Sequence, residues 1–498
     1  MENTLADLVN ALSNSNQCPS DDDTTRIAFL LTRTDERLSE CCDSIRALQD
    51  DFRETVVRYH TALDKALMLR KELVKTKSIY ATILAPVRRL PTEILIQIFL
   101  HSIGRHFTLF SITRGPWVLG KVCSRWRQVV LSTPELWSVF TLFPRGNPRL
   151  LSNPTVLISL LDTALRLSGQ RNICIYADVS IGRLKDAVED IWKHLSLHSH
   201  RWKDIRLQMA DSFAPLDAVP KDGLPALEKL SLSMVNSMHD HPCDALNNSP
   251  RLTNLTLIND GGSLMTAGLP WHQLTHLALL SRGTLPEVLR LLRLSPRLQV
   301  LEALGTRIQD SWAVPLERVP HPSLRRLQVS DVMIPQHLIL PALDDLDLVG
   351  ITNKQRCADI ICSLIARSKN ILRKFRVVCD MSLYGVMNAL KAMPELAELT
   401  VEAPEMEEWF VKDFLQTKDF LLSLQKVSLT IGNFTPSREA STILVDAIER
   451  RWSCTMRSCY ISAPFIFWHI ADDDVVRIRK MQEDGLDLTI RYANRRVL

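Results

Sequence analysis

Leu90-Pro91-Thr92-Glu93-Ile94-Leu95-Ile96-Gln97-Ile98-Phe99, followed by Val122-Cys123-Ser124-Arg125-Trp126-Arg127 and then by Leu136-Trp137, reads as a compact three-helix module. Pro86 and Pro91 push the residues before them away from helix, so a short extended link precedes the first helix. Pro91 suits a helix first turn, with Glu93 as early acidic support. The spacing predicts a first helix over roughly Pro91 to Ile103, its apolar face made by Ile94, Leu95, Ile98 and Phe99. A second helix is expected from Trp117 to Leu131, with Leu119, Val122, Cys123, Trp126 and Val130 on one side. Ser132-Thr133-Pro134-Glu135 is a start signal for a short third helix carrying Leu136 and Trp137. These apolar residues exceed what one small core needs, and surplus apolar surface on a helical module is normally handed to a partner.

Upstream, residues 1–23 are polar and expected to be a disordered tail; Asp21-Asp22-Asp23 reads as a solvated lead-in to a helix. Over 24–83 the pattern is helical. Leu38, Cys41, Ile45, Leu48, Phe52, Val56, Tyr59, Leu63 and Leu67 step by three or four and form one apolar seam, and no Gly or Pro interrupts it. The seam suits either a coiled coil with another chain or a helix folded against the next module. The small and polar seam positions, Cys41 and Tyr59, favour the second reading.

Downstream of Trp137 the chain turns to repeats. Pro225-Ala226-Leu227-Glu228-Lys229-Leu230-Ser231-Leu232 is the clearest copy of a Leu-x-x-Leu-x-Leu unit. It recurs from Leu252, Leu274, Leu298, Leu324, Leu343, Leu372, Leu396 and Leu424, with Trp202/Ile205/Leu207 as a worn copy, at spacings of 19 to 29 residues. This spacing falls on the leucine-rich-repeat period of about 20–29 residues. Each Leu-x-Leu predicts a short strand with alternating inward and outward side chains. Each unit returns through a helix or loop; Thr284-Leu285-Pro286-Glu287 is a capping box for one return helix, and Ile360/Ile361/Leu364 and Leu444/Ala447/Ile448 supply others. Arg171 to Val179 is expected to be the first strand, and Val475–Met481 with Leu486–Ile490 the closing helix and strand. The fold class is therefore mixed α/β: a long N-terminal helix, the three-helix module over 84–140, and an irregular α/β solenoid of leucine-rich repeats over 141–498. The residues between the leucines, Ser231, Thr256, Ala278, Gln328, Asp347, Thr400 and Ser428, are the ones placed to meet a ligand.

The chain has 498 residues, 46% apolar and 23% charged, with a formal charge of +4, so it has no electrostatic footprint for nucleic acid or an anionic membrane. Its 16 glycines are few against an average of about 7%, which weighs against phosphate-cradling enzymes. The 11 cysteines lack zinc or disulfide spacing, no signal or membrane-spanning stretch is legible, and an intracellular location (cytoplasm, nucleus or both) is expected. The longest apolar run, Ala463 to Ala471, is too short to span a bilayer. Gly115-Pro116-Trp117-Val118-Leu119-Gly120-Lys121-Val122 resembles a phosphate loop but puts Val122 where a magnesium-binding hydroxyl belongs. His198 and His200 lack further ligands, Cys123 reads as a packed thiol, and Asp472-Asp473-Asp474 as a helix start. No catalytic, metal or cofactor site is read.

Residues 84–140 resemble an F-box domain through Leu90-Pro91-x-Glu93-Ile94-Leu95-x-x-Ile98-Phe99, Val122-Cys123-x-x-Trp126-Arg127 and Leu136-Trp137. With the helical lead-in and degenerate repeats, the whole is similar to the F-box-like proteins expanded in mushroom-forming fungi. The resemblance implies a non-enzymatic, substrate-recognition subunit that binds the Skp adaptor of a cullin–RING ubiquitin ligase and presents a protein target on its C-terminal repeats. Position by position, it implies an adaptor face of Leu90, Pro91, Ile94, Leu95, Ile98, Leu119, Val122, Cys123 and Trp126. Two departures stand out: the Ile103–Pro116 loop is longer than in a minimal F-box, and the repeats lack a regular turn Asn. The rival expectation is an F-box-like interaction scaffold that joins no ligase.

Overall fold

The computed structural model describes residues 10, 13–14, 18–142, 154–178, 185–209, 219–220, 223–234, 244–259, 268–281, 283–305, 317–350, 356–378, 382–403, 410, 413–414, 420–431, 438–463, 472–492 and 495–496. Most of the polar tail and the Ala463–Ala471 run lie outside the described residues. The chain is mixed α/β and divides into two compact units, Met1–Pro91 and Thr92–Leu498. Among the described residues no helix is long and apolar enough to cross a membrane.

The first unit is dominated by one helix of 63 residues, Asp21–Ile83. It starts three residues before the expected boundary, because Ser20 caps it: the Asp23 N–H donates to Ser20 Oγ at 3.2 Å. Asp21, Asp22 and Asp23 occupy the first turn, where carboxylates meet the positive end of the helix dipole. None of its residues is buried. The seam is therefore uncovered: Leu38, Leu48 and Phe52 are all exposed. A 3₁₀ turn, Pro86–Arg89, and the extended Leu90 close this unit.

The second unit carries a 16-stranded sheet whose strands follow chain order. Fourteen successive neighbours pair in parallel, from Phe107–Thr108 and Val139–Leu142 through Ile173–Asp178 and Trp202–Met209 to Ser458–Ala463 and Asp487–Tyr492. Only the last, Arg495–Arg496, is antiparallel. The register aligns the repeat leucines: Leu207, Leu232, Leu257 and Leu279 are consecutive partners, as are Leu348, Val377, Val401 and Leu429. All of these are buried. Pleating alternates side chains, so one row of inward leucines per repeat suffices to bury the whole face.

A Pro-x-Leu lead sets the entry to several of the strands. Pro225, Pro250, Pro296 and Pro341 sit second in turns closed by the N–H of Leu227, Leu252, Leu298 and Leu343 onto Leu224, Ser249, Ser295 and Leu340. Proline favours that turn position because its φ is already set. The next carbonyl then accepts two N–H groups from the neighbouring repeat, as Glu228 does from Thr253 at 3.0 Å and Asn254 at 3.1 Å. Helices on the return path pack on one another, including Pro154–Leu167 on Lys185–Ser196 and Cys357–Ser368 on Leu383–Lys391. The capping box at Thr284 forms, with the Thr284 N–H donating to Glu287 at 2.9 Å.

Three local expectations change. The sheet begins not near Arg171 but at Phe107–Thr108, inside the long Ile103–Pro116 loop, and at Val139–Leu142. The expected second helix is two: Pro116–Leu119 and Ser124–Leu131. Cys123 is extended (φ −158°, ψ 170°), which ends one helix and caps the next.

Candidate functional site

Two surfaces of the second unit are candidates for a functional site. The first is the helical region before the repeats. Its core is Leu95, Phe99, Val129, Val130, Leu136 and Trp137, all buried. Trp137 Nε1 donates to the Val130 carbonyl at 2.9 Å, and its ring meets Trp117 edge-on at 4.7 Å between centroids. Trp117 Nε1 donates to the Leu109 carbonyl at 2.9 Å, and Phe99 packs on Trp126 at 4.7 Å. Both the Trp137 and Trp117 indole N–H groups therefore reach partners, so Trp137 is buried and Trp117 half-buried without an orphaned donor.

What this core leaves in water is apolar. Ile94 and Ile98, one turn apart, are 46% and 43% exposed; Val118 is 40% and Val122 58% exposed. The turn that presents Val122 is tied down: its N–H donates to the Leu119 carbonyl, Lys121 Nζ to the Ile112 carbonyl at 3.0 Å, and Arg127 Nε to the Gly120 carbonyl at 2.9 Å. A fixed turn presents Val122 without an ordering cost on binding.

The residues that the resemblance implies for the adaptor thus divide. Ile94, Ile98, Val122 and Cys123 are exposed; Leu119 and Trp126 are half-buried; Leu95 is fully buried and belongs to the core. Leu90 and Pro91 belong to the other unit. Cys123 differs from its expected packing: its Sγ accepts the Trp126 N–H at 3.4 Å as a helix cap. In the phosphate-loop lookalike, Gly115 has φ +61° and a Cβ there would lie 2.7 Å from Phe107, so the aromatic ring is what the glycine accommodates.

The second surface is the outward face of the sheet. Register sets Arg206, Ser231, Thr256, Ala278, Glu302, Gln328, Asp347, Arg376, Thr400, Ser428, Tyr460 and Thr489 in one row, one per strand. Ser231, Thr256, Ala278, Gln328, Asp347, Thr400 and Ser428 were legible between the apolar strand residues; Arg206, Glu302, Arg376, Tyr460 and Thr489 were not singled out. At the N-terminal end the face holds an open hollow of about 280 Å³ lined by Thr141, Tyr176, Arg206, Gln208, Ser231 and Ser233. There the Arg206 guanidinium lies 4.7 Å from the Tyr176 ring centre. Burial, then Asp204, pushes the Tyr176 hydroxyl above its ordinary pKa.

Midway along the row sits an ion network. Arg376 reaches Glu402 at 2.9 Å and Asp347 at 3.8 Å, and Glu398 lies between Lys374 at 3.2 Å and Lys426 at 3.7 Å. Asp347 is only 2% exposed, and its Oδ1 has no hydrogen-bond partner. Burial pushes its pKa up, opposed by Arg376 and Arg326. A carboxyl with a raised folded pKa binds more protons folded than unfolded, so its charge costs stability as pH rises through that window. Asp347→Asn is therefore expected to stabilise the protein at pH 7 by on the order of 1 kcal/mol. The gain should fade as pH falls below the ordinary Asp range near 4. Thermal melts of both proteins at the two pH values check this; destabilisation at pH 7 contradicts it.

Among the described residues no group of three His, Cys, Asp or Glu side chains is placed to hold a metal ion. No protein-family model matches the sequence, and no curated protein is significantly similar to it.

Proposed function

We propose that the chain is the target-recognition subunit of a Skp–cullin–F-box type ubiquitin ligase, holding the Skp adaptor with its F-box-like helices and a protein target on a leucine-rich-repeat solenoid. One observation carries this reading. The Leu90–Trp137 stretch resembles an F-box, and its helices leave Ile94, Ile98 and Val122 exposed although a core of Leu95, Phe99, Val129, Val130, Leu136 and Trp137 forms without them. Surplus apolar side chains on a preformed turn and helix face are what a helical partner needs as anchors.

The in-register parallel strands support the second half. Stacked units that each pair only with their sequence neighbours fit a repeat solenoid, which presents one outward side chain per strand to a ligand. The work of such a subunit is to raise the effective concentration of a target beside the ubiquitin-charged enzyme; it performs no bond chemistry itself.

The test is capture of a purified Skp-type adaptor by the intact, folded chain. A stoichiometric complex is expected. Failure to bind overturns the ligase assignment and leaves an F-box-like interaction scaffold.

A further inference from the structure

The long helix raises a problem that the proposed function does not answer. It is 63 residues long, roughly 95 Å at 1.5 Å per residue, and buries none of them. In proteins most helical stability comes from covering an apolar face rather than from intrinsic propensity. A strict seven-residue frame runs along it. One core position (a) recurs every seven residues from Leu31 to Tyr80, the other (d) from Ile27 to Ile83, and no charged residue occupies either. An unbroken heptad seam of this length is the signature of a coiled coil.

The frame itself selects the occupant. We propose that the seam pairs with the same seam of a second copy of this chain, antiparallel and centred between Phe52 and Thr55. In an antiparallel coil each a position faces a d position of the other strand. That register sets Phe52 against Thr55 of the second copy, Ile45 against Ala62, Leu73 against Thr34 and Leu31 against Thr76. Large side chains meet small ones at these four layers, while Leu38 meets Leu69, Leu48 meets Tyr59, Ile27 meets Tyr80 and Cys41 meets Ala66. A parallel pairing stacks Phe52 on Phe52 and Thr55 on Thr55, crowding one layer and starving the next.

The flanking charges agree. The antiparallel register brings Asp35 to Arg70, Arg37 to Glu72 and Asp51 to Arg58, each contact made twice by symmetry, and Leu30 to Ile79. No like charges meet. A parallel register sets Lys65 against Arg70 and buries Val56 and Leu63 under Asp51 and Arg58; its one attractive pair is Glu72 with Lys77. Flanking charges are what set partner choice and orientation in such coils. Arg58 already bonds Glu54 in its own helix at 2.5 Å, through one of its several N–H groups, and the guanidinium fork has further donors for Asp51.

The helix surface carries the matching hole. Ala66, Leu69, Arg70 and Leu73, with Val74 and Lys77, line an apolar hollow of about 320 Å³. The first four residues are the knob-accepting set around a d position. In the antiparallel register the knob is Leu38 of the second copy, and Asp35 one turn away meets Arg70 at the rim. The two chains then leave the coil at opposite ends.

Sedimentation equilibrium on the full chain tests this. A species of twice the 56.6 kDa chain mass is expected at micromolar concentration. Leu38→Glu with Leu69→Glu should give a monomer. Arg70→Glu should weaken the dimer at least tenfold, and adding Asp35→Arg should restore it. Four results overturn the proposal: a wild-type monomer at tens of micromolar, which includes a seam reserved for a different protein; a dimer that survives Leu38→Glu with Leu69→Glu; no rescue by Asp35→Arg; and a dimer tightened by Arg70→Glu, the sign of a parallel coil relieved of its Lys65 repulsion. None of these readings depends on adaptor binding.

Discussion

Replacing Ile98 and Val122 together by aspartate should weaken adaptor binding by more than about 100-fold while leaving the fold intact. Both side chains stand in water, so the folded state loses little; surface substitutions of this kind usually change stability by within about 0.5 kcal/mol. A bound state would have to bury two carboxylates in an apolar contact. Truncating a central apolar anchor already costs about 2 kcal/mol or more, and about 1.4 kcal/mol is a tenfold change in Kd. Leu95→Asp is the wrong test even though Leu95 lies in the same motif. Leu95 is fully buried beside Phe99, so a charge there destroys the module and any binding loss follows trivially. The measurement is titration calorimetry of both proteins with the adaptor, paired with thermal melts. Unchanged affinity at unchanged melting temperature contradicts the proposed adaptor face.

How far the chain could be read from its residues depended on which physical rule was local. Inward leucines were legible because the pleat alternates and the turn before several of the strands carries a proline, so Pro225, Leu227, Leu230 and Leu232 show the repeat by themselves. The division of Leu95 from Ile94 was not legible. The two are neighbours of equal hydrophobicity, and only the packing of Phe99 on Trp126 decides which one faces the core. The strand Val139–Leu142 was hidden at the edge of the helical module, since four residues with alternating burial give too short a period to separate from a helix end. Cys123 was read by its hydrophobicity, but it acts through a lone pair as a cap. Charged residues misled most. Arg376 bonds Glu402 diagonally across adjacent strands, 26 residues away in the chain, a pairing that only register can produce. Buried arginines leave no local trace at all.

Arg451 is the strongest case, and Arg451→Met should cost about 1–3 kcal/mol, the range for leaving buried hydrogen-bond acceptors without their donor. Arg451 is buried in the helix Arg438–Trp452. Its guanidinium donates to the Phe414 carbonyl at 2.8 Å, to the Leu421 carbonyl at 3.4 Å and to the Phe420 carbonyl, and lies 5.8 Å from the Phe414 ring centre. Burial lowers its pKa, but from so high a starting value that the group stays charged at neutral pH. Those carbonyls belong to the segment that enters the strand Lys426–Ile431, and Leu421 there holds a left-handed φ of +56° with its side chain buried. A non-glycine residue in that region costs roughly 1–2 kcal/mol, which the three charge-assisted bonds offset. Methionine fills a similar volume and donates nothing, so the buried carbonyls lose their partners and the strained turn loses its clamp. Because each strand pairs only with its chain neighbours, the damage should stay local. Hydrogen exchange is expected to show lost protection over Lys426–Ile431 and Arg438–Trp452 and none over Ile173–Asp178. Uniform loss along the sheet would mean that the unit melts as a single cooperative block, and unchanged protection would mean that water replaces the guanidinium at no cost.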